Sequence, residues 1–350
     1  FGQGPLASVD YDRIRMTGSL DYLDVQRWLQ VIDELGEVAE VALNDEIAAH
    51  LESAELSIEK LLFYDLELPS TGVRVVRNPG AWVTSLDNAM LKGEVIVADA
   101  DDVPVEIMLE QLQLDNSDDA SDSLGDVNPS EIDDINFSTD SLIINGEDYG
   151  SWAFNFRVED QVARFEDIDA TPAGLRVLPS SIVEWRVTEG IHSTSYIGDI
   201  EVDDLALVMS KFGFASSVEG QELKIDANVS WSGSPAMIDV ERIVGQVGIN
   251  EGKGRFVQAE TGGALKLLGI FDFTSIARRL RLDFSDVVEK GFEFSEISGV
   301  TAFNEGQVGT VEPIVIEGST AKFTLGGELD LKAETLNNEM IVTLPVTRTL

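Results

Sequence analysis

The sequence contains no cysteine and only two histidines, His50 and His192. The absence of cysteine excludes disulfide bonds, thiolate nucleophiles and cysteine-ligated zinc, and it leaves the redox compartment undetermined. Neither histidine lies in a pattern that pairs it with a serine nucleophile or a second metal ligand, so we interpret both as surface or turn residues. The sequence therefore predicts no metal site and no bound cofactor.

Basic residues are also scarce. The chain has 24 Lys and Arg against 64 Asp and Glu, which gives a formal net charge of -40. A surface this negative repels phosphate backbones and anionic lipid surfaces. Nucleic acid is therefore excluded as the expected partner.

Long apolar runs are missing as well. The best short run, residues 264–271, is interrupted by Lys266, whereas a membrane-spanning helix needs about 18 to 20 apolar residues. The sequence also begins without Met and shows no signal peptide. We expect a segment of a longer protein whose targeting signals lie elsewhere.

Catalytic motifs are absent from the sequence. HExxH, GxSxG, CxxC and the GxxxxGK[ST] phosphate loop do not occur. The stretch GQVGINEGKGR from Gly245 has the wrong spacing for a phosphate loop, and turn glycines explain it. The many carboxylates fall on the solvent sides of predicted strands, so the sequence predicts that the protein is not an enzyme. The remaining enzyme alternative, which acts on acidic or glycan substrates, would need a buried carboxylate pair.

Alternation of apolar and polar residues dominates the chain. A period of two is typical of strands with one buried face. In LSIEKLLFYDLEL the even positions form the predicted apolar face, which Lys60 interrupts, while Leu61 and Phe63 fall on the polar side. The predicted apolar lining comprises Leu56, Ile58, Leu62, Tyr64, Leu66, Trp152, Phe154, Phe156, Leu223, Ile225, Val229, Phe323, Leu325 and Leu329.

Helical signals are few and short. Asp24 caps VQRWLQVIDEL, Asp203 or Asp204 caps LALVMSKF, and a third helical region runs from about Gly263 to Leu280. Roughly twenty strands with occasional helices favour an antiparallel meander over βαβ units. The expected fold is mainly β.

The apolar face of such a sheet has two interpretations. On the alternation alone, a closed sandwich or barrel core is favoured. An open trough would instead expose the face to an elongated apolar ligand such as an acyl chain. Exposing an acyl chain to water costs about 0.8 kcal/mol per CH₂, so a trough would remove a large cost.

The C-terminal third resembles the AsmA-like family, and within it the YhdP-type proteins of Gram-negative bacteria. The matching stretches are DLALVMSKFGF, LKIDANVSWSGSP, RRLRLDFSDV followed by GFEF, and VEPIVIEGSTAKFTLGGELDL. The resemblance implies a long antiparallel β-sheet curled into a groove, with a few short amphipathic helices. It also implies a periplasmic protein anchored in the inner membrane by an N-terminal helix absent from this sequence, and phospholipid transport toward the outer membrane. It supplies no catalytic residues.

The expected organisation has four parts. Residues 1–114 form a β-groove segment with an N-terminal helix, and residues 115–134 form an acidic mobile loop. Residues 135–200 form a second groove segment. Residues 201–350 form the AsmA-like C-terminal segment, with a helical insert at 263–290.

We therefore expect a segment of a bridge-like lipid-transfer protein whose ligands are phospholipid acyl chains, with outer-membrane or periplasmic proteins as further partners. The alternative is an assembly scaffold for outer-membrane biogenesis with a closed β core. Arg278, Arg279 and Arg281 form the one basic cluster of interest. They are expected either to pair with nearby carboxylates or to contact a lipid phosphate.

Overall fold

The computed structural model of the chain describes residues 13–28, 51–63, 66–100, 102–114, 122, 124–211, 218–220, 222–256, 292–319 and 321–344. The chain divides into two compact units. Unit 1 comprises Phe1–Ser123 and Ser130–Val158, and unit 2 comprises Leu124–Pro129 and Glu159–Leu350.

The described residues of unit 1 form eleven strands. They are β1 (Ile14–Leu20), β2 (Leu23–Asp24), β3 (Leu51–Phe63), β4 (Leu66–Asn78), β5 (Ala81–Asp87), β6 (Leu91–Ala98), β7 (Val105–Leu114), β8 (Ile135–Thr139), β9 (Leu142–Ile144), β10 (Glu147–Asp148) and β11 (Trp152–Glu159). Strands β3 to β7 form an antiparallel meander. β1 and β2 pair with β3 in parallel, and β8 and β9 pair with β7 in parallel.

The parallel pairings differ from the expected antiparallel sheet, although the mainly β fold is confirmed. Parallel neighbours need a connection of about a dozen or more residues. The acidic stretch 115–134 provides this connection between β7 and β8. Within it Pro129 is buried in a short 3-10 helix, Pro129–Glu131, and Asp134 accepts a backbone hydrogen bond from Val105 through its carbonyl oxygen.

In unit 2 the part of the chain that the structure describes forms twelve strands. They are β12 (Val162–Ala170), β13 (Leu175–Val177), β14 (Ile182–Thr188), β15 (Ile191–Val202), β16 (Val218–Gly220), β17 (Leu223–Ser232), β18 (Val244–Glu251), β19 (Gly254–Phe256), β20 (Phe292–Asn304), β21 (Gln307–Gly318), β22 (Lys322–Asp330) and β23 (Thr335–Thr343). All the pairings described in this unit are antiparallel, in the order β12, β14, β15, β17, β18, β20, β21, β22 and β23. β16 pairs with β19, which pairs with β20.

The described helices are short, as expected. Helix α1 spans Leu205–Lys211, and the Asp204 carboxylate accepts a hydrogen bond from the Leu207 backbone N–H at 3.0 Å. Residues 25–28 are also helical, and Asp24 caps them by accepting from the Arg27 N–H at 3.0 Å. Both caps confirm the sequence-based assignment. Two further 3-10 turns lie at Pro172–Gly174 and Val240–Arg242.

In the part of the chain that the structure describes, we find no helix with the length and apolar character required to cross a bilayer.

The described part of each unit has its own apolar cluster. In unit 1, Ile58, Leu61 and Leu68 are buried together. In unit 2, the phenylalanine cluster consists of Phe256, Phe292, Phe294, Ile316, Ala321, Phe323 and Leu325. Its rings pack at offset and edge-to-face angles, with centroids 5.2 Å apart for Phe256 and Phe294 and 5.1 Å apart for Phe292 and Phe323.

In β3 the predicted alternation holds only up to Ile58, whereas Leu66 and Leu68 of β4 lie with the buried cluster, as predicted. Burial passes from Ile58 to Leu61, and in β4 from Leu68 to Thr71, which are steps of three residues. The register lacks a pair between Glu59 and Ser70, and Ser70 has a φ of 50°. This local irregularity places Leu61 on the apolar side, where the sequence pattern had placed Leu62.

Candidate lipid-binding face

The strands of unit 2 share one apolar face. Residues directly opposite each other on neighbouring strands point to the same side of a sheet. One row crosses Ile200, Ile225 and Ile249 in β15, β17 and β18. The unit 2 apolar face, defined by this register, includes Trp185, Tyr196, Ile200, Leu223, Ile225, Val229, Trp231, Val247, Ile249, Ile297, Phe303, Val308, Ile314, Ile316, Phe323, Leu325, Leu329, Met340 and Val342.

This face is not uniformly covered. Trp185 and Trp231 are buried near one end of the strands, and the phenylalanine cluster is buried near the other. Between them, Ile200, Ile225 and Ile249 are only half-buried. A half-buried aliphatic row in the middle of a sheet leaves apolar surface that a ligand could cover.

The opposite side of unit 2 carries ion pairs, together with exposed apolar residues such as Ile197. Arg164 contacts Glu184 at 3.0 Å, and Lys322 contacts Glu317 at 2.5 Å. Glu201 pairs with Arg176 and, at 3.7 Å, with Lys224. Such exposed pairs contribute little stability, typically below about 1 kcal/mol each. They do show that this side of the sheet faces water.

Unit 1 has an equivalent apolar face. One row runs through Ala54, Val75, Thr84, Val95, Ile107, Phe137 and Phe154, and a second through Leu56, Val73, Leu86, Gly93, Leu109, Thr139 and Trp152. The Phe137 and Phe154 rings stack with centroids 4.8 Å apart. On the other side, Glu55 pairs with Arg74 at 3.4 Å.

Most of the predicted lining residues lie on these two faces. In unit 1 they are Leu56, Ile58, Trp152, Phe154 and Phe156, and in unit 2 they are Leu223, Ile225, Val229, Phe323, Leu325 and Leu329. Leu66 packs against the buried cluster of unit 1. Leu62 lies opposite Glu67, on the other side of β3 from Leu61. Tyr64, Arg278, Arg279 and Arg281 fall outside the described residues.

Two indoles at one end of the unit 2 face were not among the predicted lining residues. The Trp185 Nε1 donates to His192 Nδ1 at 3.0 Å, and the Trp231 Nε1 donates to the Ser234 carbonyl at 3.0 Å. His192 itself lies half-buried in β15 rather than in a turn. Trp231 follows from the alternation of LKIDANVSW, which places it on the same side as Leu223, Ile225 and Val229.

A buried carboxylate is the second feature that sequence reasoning missed. Glu251 is 2% exposed, and its position continues the alternation of Val247 and Ile249 onto the apolar face. Neither carboxylate oxygen has a hydrogen-bond partner among the described residues. Burial, and secondarily the nearby Glu222 charge, raises the pKa of Glu251 to about 7.

No group of three or more His, Asp or Glu side chains able to hold a metal ion occurs within the residues that the structure describes. The arrangement in each unit offers a broad apolar surface for contact instead. By its fold, the chain is a mainly β protein. The sheet of each unit has one apolar side and one side that carries ion pairs.

The chain is a member of the YhdP family, whose sequence profile, described as YhdP protein, matches residues 2–350. It is similar to the intermembrane phospholipid transporter YhdP of Escherichia coli (strain K12), with 26% identity over 167 residues. That match covers 48% of this chain and 13% of the relative, so the chain corresponds to a small part of the relative's length. No solved structure matches the sequence.

Proposed function

We propose that this chain is a segment of a bridge-like protein that carries phospholipids between the inner and outer membranes of a Gram-negative bacterium, with the acyl chains on its apolar sheet faces. The observation that carries the proposal is the half-buried row of Ile200, Ile225 and Ile249, which lies on an apolar face whose reverse side carries ion pairs. Membership of the YhdP family and the name of the relative support phospholipid as the cargo.

The energetics favour an acyl chain as the occupant. Each CH₂ removed from water contributes about 0.8 kcal/mol, so a sixteen-carbon chain gains on the order of 10 kcal/mol when it is fully covered. An aliphatic and aromatic surface provides this gain without requiring a particular head group. In this proposal the protein acts by binding and guiding lipid, and no catalytic step is assigned to it.

The location and partners follow from the same proposal. The segment would work in the periplasm, held by an inner-membrane anchor elsewhere in the protein. Outer-membrane or periplasmic proteins would receive or pass on the lipid. We also propose that the chain is divided into groove segments and that its sheet curls to form the groove.

The test is recovery of phospholipid from the purified full 350-residue chain, prepared without detergent, by solvent extraction and mass spectrometry. In the variant Ile225→Asp a charge stands in the half-buried row, and desolvating it opposes acyl-chain binding. The matched control is Asn228→Asp, which adds the same charge to the same strand on the exposed polar side.

We expect phospholipid with the parent chain and with Asn228→Asp, and at least a tenfold loss with Ile225→Asp while the circular dichroism spectrum stays unchanged. Equal recovery from the parent and Ile225→Asp would refute binding at this row. No lipid with any of the three chains would favour the alternative, an assembly scaffold whose apolar face is a closed core.

A further inference from the structure

The short strand β16 continues the line of β17 at one end of the unit 2 sheet. It pairs with β19, so that Val218 is opposite Phe256 and Gly220 is opposite Gly254. Val218 packs against the phenylalanine cluster. β16 therefore contributes to the apolar packing at this end of the sheet.

Gly220 in β16 lies directly against the Glu251 carboxyl group. A Cβ atom built on Gly220 would stand 2.5 Å from Oε1 of Glu251 and 2.9 Å from its Cδ. There is thus no room for a side chain at residue 220 while Glu251 keeps this position. The backbone of β16 thus lies against the carboxyl group of Glu251, which is only 2% exposed.

The buried Glu251 carboxyl group has no described hydrogen-bond partner. Burial therefore favours its neutral form, because an unpaired buried charge carries a large desolvation cost. Opening β16 would hydrate the carboxylate and remove that cost. Ionisation of Glu251 and closure of β16 therefore oppose each other.

We propose that Glu251 is a proton-operated latch, which keeps β16 paired with β19 when its carboxyl group is protonated and releases β16 when it ionises. If the proposed lipid function holds, release would expose the phenylalanine cluster at this end of the face to an acyl chain. That consequence rests on the proposed function, whereas the latch itself does not.

Other charged groups around β16 are arranged differently. Glu219 of β16 pairs with Arg255 of β19 at 2.5 Å, and Arg255 lies opposite Glu293 of β20. These three lie on the polar side of the strands, as does Lys224 of β17, which contacts Glu201.

Glu222, just before β17, and the exposed Lys253, between β18 and β19, are further described charged groups near this end. The Glu222 charge opposes ionisation of Glu251, in line with the pKa of about 7 for that group. In an opened state the Glu251 pKa would return toward its ordinary value of 4.5.

Hydrogen–deuterium exchange of the full chain, read by mass spectrometry on peptides that contain β16 and β19, tests the latch between pH 5 and pH 8. Rates are corrected for the intrinsic pH dependence of amide exchange. We expect the opening equilibrium to rise about tenfold per pH unit from pH 5 to pH 7 and to level off above pH 7. Peptides from β12 and β14 serve as the internal reference.

Two variants remove the titrating group. Glu251→Gln and Glu251→Leu should each show an opening equilibrium that does not change with pH, and the aliphatic variant suits the apolar row if the amide variant folds poorly. With Glu222→Gln the opening equilibrium should still rise with pH, but it should level off at a lower pH than in the parent chain. An unchanged slope in both Glu251 variants, or a flat profile in the parent chain, would overturn the latch.

The lipid consequence is separated by repeating the extraction assay at pH 5 and pH 8. A pH-dependent opening without recovered lipid at either pH would contradict the proposed function and leave the latch standing. Lipid recovery together with an exchange profile that does not change with pH would contradict the latch and support the proposed function.

Discussion

Replacing Glu251 with Gln should stabilise the folded chain more at neutral pH than at acid pH. The folded-state pKa of about 7 lies above the ordinary value of 4.5, so folding retains a proton that the unfolded chain loses. Below about pH 4.5 the group is protonated in both states and costs nothing. As pH rises to about 7 the folded state loses stability, and above pH 7 the loss is constant.

The size of the effect follows from the same pKa difference. Each unit of difference between folded and unfolded pKa is worth about 1.4 kcal/mol, which gives up to about 3 kcal/mol for Glu251 at pH 8. For cooperative unfolding of 350 residues this corresponds to about 4 °C in Tm, and to more if unit 2 unfolds separately. The glutamine amide adds its own burial cost, but that cost does not vary with pH.

The assay is thermal or urea unfolding of both chains from pH 4 to pH 8. At each pH, the unfolding free energy of Glu251→Gln is compared with that of the parent. The quantity that tests the prediction is how this difference changes with pH. Glu328→Gln, an exposed glutamate in β22, controls for removing one charge from a very acidic chain. A difference that stays constant across this pH range, or that matches the Glu328 control, would refute a neutral buried carboxyl group at residue 251.

Two further predictions concern the apolar faces. Phe154→Asp should reduce lipid recovery at least tenfold, because it places a charge beside the stacked Phe137 ring. Asn155→Asp, on the other side of β11, should not reduce it. Equal recovery from the two variants would argue against lipid on the unit 1 face. Trp231→Phe should destabilise the chain by roughly 1–3 kcal/mol in urea unfolding, because it removes the hydrogen bond to the buried Ser234 carbonyl. Ser230→Ala, on the exposed side of the same strand, should change stability by less than about 0.5 kcal/mol, and a similar loss in both variants would contradict a specific role for the indole.

Local patterns were sufficient to predict much of the fold. Period-two alternation assigned β17 and β22 to strands and placed Ile225 and Leu325 on the correct side, because each side chain simply follows the pleat. Helix caps at Asp24 and Asp204 were also predictable, since the capping oxygen acts within three residues.

Where alternation failed, the cause was a local irregularity. At Ser70, which has a positive φ, the pair with Glu59 is missing from an otherwise continuous register, and the buried residue of β3 is Leu61 instead of the predicted Leu62. A serine carries no strong sequence signal for this conformation. The placement of a side chain beyond such a residue depends on the partner strand.

The sequence by itself determined that the protein is mainly β, strongly acidic, free of cysteine chemistry and apolar on alternate positions, because composition and local periodicity are properties of the chain alone. Only the tertiary structure decided that β7 pairs in parallel with β8 and β9 and that Gly220 of β16 lies against the Glu251 carboxyl group. Those features join residues far apart in sequence. Their energies come from contacts and burial that no local pattern encodes.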